Sequence, residues 1–73
     1  MTIEDYRIQF GWSKSKLAHE AGIDMNTLRR AIDGEPIYRA TAGKIANAIS
    51  AELQRRGQSP IKYTDFAGLK FAD

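Results

Sequence analysis

The chain has 73 residues, 42% hydrophobic and 27% charged, and eleven basic against nine acidic side chains leave a formal charge of +2. That length holds one domain with a small core, too apolar for a disordered tail, and its mild positive balance does not by itself identify a polyanion as ligand. Without cysteine there is no disulfide framework and no thiolate metal site, and no stretch approaches the roughly 20 apolar residues of a membrane span.

The start Met1-Thr2-Ile3-Glu4-Asp5 is acidic and lacks the basic and apolar regions of a secretory signal, so a cytoplasmic protein with no membrane partner is expected. Thr2 is the N-cap of a first helix, with Glu4 and Asp5 placed where carboxylates favour the positive helix end. Ile3, Tyr6 and Phe10 form its apolar stripe and Gly11 its stop. Ser13 caps a short second helix from Lys14 to Ala21, whose Leu17, Ala18 and Ala21 share one face. Gly22 supplies the left-handed residue that ends it, Ile23 points inward, and Asp24 caps a third helix through Asp33 with Leu28, Ala31 and Ile32 inward. Gly34 closes that helix.

Glu35-Pro36 interrupts the helical pattern, because proline disfavours helical backbone in the residue before it, and Ile37 to Ala40 read as a loop. Thr41 is the expected N-cap of a fourth and longest helix, in which Ala42, Ile45, Ile49 and Leu53 recur up to Arg55, Arg56 and the stop at Gly57. In the tail, 58–73, Gln58-Ser59-Pro60 breaks the chain again. Beyond it, Ile61, Tyr63, Phe66, Leu69 and Phe71 either complete the core as a fifth helix or form a dimer contact. The expected fold is all-α: one domain over 1–73, a bundle of four to five short helices.

Two short helices joined by a tight glycine turn, over 13–33, form a helix-turn-helix, the geometry that lets its second helix protrude into a major groove. The run Arg7 to Ala18 (RIQFGWSKSKLA), followed by Ala21 to Leu28 (AGIDMNTL) and Gly34, resembles the lambda-repressor and Cro-like (XRE-type) helix-turn-helix family. The likeness covers Tyr6 to Gly34 closely and extends to Ile45-Ala46 and Ala48-Ile49. It implies a stand-alone transcriptional regulator that reads double-stranded DNA as a homodimer on a roughly palindromic operator.

On the third helix, inward Leu28, Ala31 and Ile32 leave Asn26, Arg29, Arg30 and Asp33 on the opposite side. Asparagine bonds adenine and arginine bonds guanine in bidentate pairs, each worth roughly 1–3 kcal/mol of discrimination, so Asn26 and Arg30 are the leading base readers. The resemblance adds Met25 and Thr27, which contact thymine methyls, and leaves Arg29 to a phosphate. It also places Ser13 and Lys14 on a phosphate at the start of the second helix, with Tyr38, Arg39 and Lys44 as a second tier beside the loop. Asp24 stands where the family more often carries serine or threonine. With Asp33 and Glu35 it brings negative charge near the groove-facing surface, which implies modest, steeply salt-dependent affinity.

Plainer readings account for other residues. Ser13 caps a helix whether or not it touches phosphate, Arg55 and Arg56 stabilise a negative helix end, and Tyr6, Phe10 and Trp12 are core rather than a stacking platform. His19, outward and without a cysteine or carboxylate set, makes neither a metal site nor a triad, and Gly43-Lys44 lacks the preceding glycine, hydroxyl residue and strand of a P-loop. Hence no enzyme activity, no metal and no cofactor are expected. The rival from another class is a protein-interaction module, antitoxin-like, holding a protein partner through the apolar tail.

Overall fold

Three side chains start three helices. Thr2, Ser13 and Asp24 each hold extended backbone and accept the amide three residues on, at 3.1 Å from Asp5, 3.0 Å from Lys16 and 3.3 Å from Thr27. Asp5 returns the bond to the Thr2 amide at 2.9 Å, completing a capping box. In the computed structural model, which describes all 73 residues, these caps open α1 (Ile3–Phe10), α2 (Lys14–Ala21) and α3 (Met25–Ile32). Gly11 and Gly22 end the first two at φ 74° and 70°, a backbone that side chains with a Cβ rarely adopt.

The fourth helix, α4 (Arg39–Arg55), begins two residues before Thr41, which therefore does not cap it. The segment Ile37 to Ala40, read as a loop, instead holds the second residue of a two-residue strand, β1 (Pro36–Ile37), and the first two residues of α4. The N-cap position is Tyr38, whose side chain makes no capping bond. The Arg39 amide instead donates to the Asp73 carboxylate at 3.1 Å, so the cap comes from the far end of the chain.

The core forms where α2 packs on α4 and α3, with Leu17, Leu28, Ile45 and Ile49 fully enclosed. Each contributes about 1.5–3 kcal/mol through removal of its side chain from water. Phe10 lies buried at the end of α1, with Trp12 5.1 Å away and Tyr6 6.2 Å away between ring centroids, as core residues. Arg56 donates to the Phe10 carbonyl at 3.3 Å and lies over its ring, while Arg55 and Arg56 both pair with Glu52. Their role at the end of α4 is structural.

The tail completes the core without becoming a fifth helix. Pro60 has no amide proton and Gly68 takes φ 80°, so the segment runs as irregular backbone with one 3-10 turn at Tyr63–Asp65. It ends in β2 (Lys70–Phe71), paired in parallel with β1 so that Ile37 faces Phe71. Phe66 is 6% exposed and meets Tyr6 edge to face at 6.0 Å, and Ile61, Tyr63, Leu69 and Phe71 pack against the same cluster. The apolar side chains of the tail are thus used within the chain itself. No helix is long and apolar enough to cross a membrane.

Candidate nucleic-acid interface

Between α2 and α3 the chain turns in three residues. The Gly22 amide donates to the His19 carbonyl and the Ile23 amide to the Ala18 carbonyl, both at 3.1 Å, closing the end of α2 before Asp24 opens α3. Ala18 is buried at this crossing and Ile23 packs against the core, leaving His19 exposed. A small residue at the crossing and a left-handed glycine in the turn bring two eight-residue helices together, with the outer face of α3 towards solvent.

That face is sharply divided. Leu28 and Ala31 are buried and Ile32 half-buried, while Asn26, Arg29, Arg30 and Asp33 are all exposed. Arg29 donates to the Asn26 carbonyl oxygen at 3.3 Å, which leaves the Asn26 amide nitrogen and one oxygen lone pair available. Arg30 makes a long bond, 3.4 Å, to the Pro36 carbonyl and lines a cleft of about 190 Å³ with Thr27, Ile37, Tyr38, Thr41 and Ala72. Most of its five donors stay free. Thr27 is half-buried, and Met25 packs against the core instead of standing free beside Asn26.

The electrostatics are mixed around this face. The hydroxyl and amide of Thr27, with a smaller contribution from the Arg30 charge, hold the Asp24 carboxyl below its ordinary value, so it stays ionised at the start of α3. Asp33 and Glu35 are exposed at the other end. Against them stand Arg29 and Arg30, and at the start of α2 exposed Lys14 and Lys16, with no acidic residue in that first turn. Lys16 pairs with Glu20 at 3.3 Å and sits over the Trp12 ring, whereas the Ser13 hydroxyl is taken up as cap.

The second-tier residues are placed differently from one another. Tyr38 is 63% exposed beside the cleft, and Lys44 is exposed on α4. Arg39 is engaged by the tail: its guanidinium lies 3.5 Å from the Asp73 carboxylate and 4.5 Å from the centre of the Phe71 ring. Thr41, expected as a cap, instead faces the cleft near Arg30. Neither Thr41 nor Asp73 was legible as part of this surface. Asp73 reaches it through a contact spanning 34 residues, which local periodicity does not encode. No group of three or more histidine, aspartate or glutamate side chains converges as a metal site would require. No protein-family model, curated protein or solved structure matches the chain.

Proposed function

We propose that the protein binds double-stranded DNA sequence-specifically, inserting α3 into the major groove as a transcriptional regulator. The observation that carries this reading is the division of α3, a helix buried along one side and presenting Asn26, Arg29 and Arg30 together on the other, directly after a three-residue turn from α2. Asn26 and Arg30 read base edges, and Thr27 contributes at the margin of the cleft. Met25 contributes less than the family resemblance implies, because much of its side chain is committed to the core.

Lys14, Arg29, Tyr38 and Lys44 position the duplex through its phosphates without reading sequence. Ser13 adds the amide-rich start of α2. A palindromic operator bound by two copies of the chain follows from the family resemblance. Selection from random duplex DNA at moderate salt tests the reading. Enrichment of a symmetric motif is the expected result, and weak binding that salt abolishes without any enrichment contradicts it.

A further inference from the structure

Pro36, Ile37, Tyr38 and Thr41 form one side of the cleft that Thr27 and Arg30 of α3 close from the other. Its floor is held by main-chain bonds: Ile37 is 5% exposed, its strand pairs with β2, and its carbonyl accepts the Ala72 amide at 2.8 Å. The walls are therefore preformed, as those of small-molecule sites usually are. At about 190 Å³ the space exceeds the roughly 150 Å³ in which an apolar cavity holds benzene, and falls short of the roughly 300 Å³ at which pockets for larger ligands begin. One ring with a small substituent fits it.

Two of the lining side chains lack partners that their counterparts elsewhere have. Tyr6 and Tyr63 each pack edge to face on a phenylalanine ring, whereas Tyr38, 63% exposed, meets no ring. Arg7, Arg39, Arg55 and Arg56 each pair with a carboxylate, whereas Arg30 has only its 3.4 Å bond to the Pro36 carbonyl. No acidic side chain lines the cleft. Asp24 is held chiefly by Thr27 and feels the Arg30 charge only weakly, and Asp73, next to Ala72, is matched by Arg39. An open guanidinium fork beside an unstacked phenol ring and an apolar floor suits a planar ring that carries a carboxylate. The fork takes the two oxygens, Tyr38, Pro36 and Ile37 cover the ring, and Thr41 adds a hydroxyl at the wall.

We propose that this cleft binds a small aromatic monocarboxylate, held at Arg30, and that the bound acid and duplex DNA exclude each other. The ligand chemistry stands on the cleft alone, and the exclusion rests on the proposed function, in which Arg30 reads a base edge. A bound acid takes that reader away, so the cleft is the site of an effector that releases the protein from DNA.

Benzoate tests the cleft, with benzamide as the uncharged compound of the same shape. Titrating the native chain with benzoate is expected to move the amide resonances of Arg30, Ile37, Tyr38, Thr41 and Ala72 together and saturably, with a dissociation constant of about 1 mM. Benzamide is expected to bind at least about tenfold more weakly, and Arg30→Ala to weaken benzoate by a similar factor, because each loses the charged pair. Equal affinity for the two compounds, shifts that never saturate, or shifts spread equally over Lys14 and Lys44 overturn the site. The comparison of benzoate with benzamide needs no variant and stands even if Arg30→Ala does not fold. Benzoate at ten times its dissociation constant is then expected to weaken duplex binding by the native chain about tenfold, relative to sodium chloride of equal ionic strength. Unchanged duplex affinity overturns the exclusion. A native chain that binds no duplex at all defeats the DNA reading and the exclusion with it, while the resonances still decide the cleft.

Discussion

The Ser50 hydroxyl donates to the Ile61 carbonyl and accepts the Ile61 amide, both at 3.0 Å, fastening the start of the tail to the middle of α4. One side chain satisfies both main-chain groups of a partly buried residue that has just passed Pro60 and has no helix or strand to pair with. Ser50→Ala strands both groups, and a cost of about 1–3 kcal/mol is expected. Urea denaturation checks this as a lower midpoint with unchanged slope, and an unchanged midpoint contradicts the role given to Ser50.

The tail is expected to be indispensable to the fold. Phe66→Ala removes a ring enclosed against Tyr6 and is expected to cost about 3–5 kcal/mol. Deleting 60–73 strips away Phe66 together with the strand paired to Ile37, and circular dichroism is expected to show lost cooperative melting. A truncated chain that melts cooperatively at the native temperature contradicts this account of the core.

The turn between α2 and α3 depends on backbone freedom alone. Gly22 has φ 70°, and a Cβ built there meets nothing within 4 Å, so Gly22→Ala costs only the left-handed conformation, about 1–2 kcal/mol. Gly22→Asn is expected to cost less, because asparagine tolerates that region. Equal stability of all three chains by denaturation rules out the left-handed turn.

Much of this was legible in the sequence because its determinants are local. Caps Thr2, Ser13 and Asp24, stops Gly11 and Gly22, and the three- or four-residue spacing of Leu17 to Ala21, Leu28 to Ala31 and Ile45 to Ile49 each act within one or two turns. The start of α4 lies three residues before the expected one, with Tyr38 rather than Thr41 at the N-cap, because its amide is capped by Asp73, beyond the reach of any local signal. The same applies to the tail, whose Phe66 and Phe71 alternate too briefly to announce a structure that exists only against Tyr6 and Ile37. On the candidate interface, helical periodicity sufficed for Asn26, Arg29 and Arg30, but not for the burial of Met25 or the capture of Arg39.

Acid is expected to destabilise the fold. Glu4 is held below its ordinary 4.5 by hydrogen bonding from Arg7, Glu52 below the same value by Arg56 and then Arg55, and Asp5 below 3.8 by the Thr2 amide. Asp24 is lowered likewise by Thr27. Carboxylates depressed in the folded state contribute stability that is complete above their unfolded values and lost as pH falls through the folded ones. The melting temperature is therefore expected to be level above about pH 6 and to decline below 4.5. A rise on acidification contradicts these pairings.

The central claim is that the outer face of α3 reads base pairs. The most direct measurement titrates a duplex carrying the selected motif, and an unrelated duplex, with the native chain and with an Asn26→Ala, Arg30→Ala variant of the same melting temperature. Each lost bidentate contact removes about 1–3 kcal/mol, so the variant is expected to lose at least roughly 30-fold in affinity for the motif and far less for the unrelated duplex. Equal discrimination by the variant and the native chain contradicts the claim and moves sequence reading off α3.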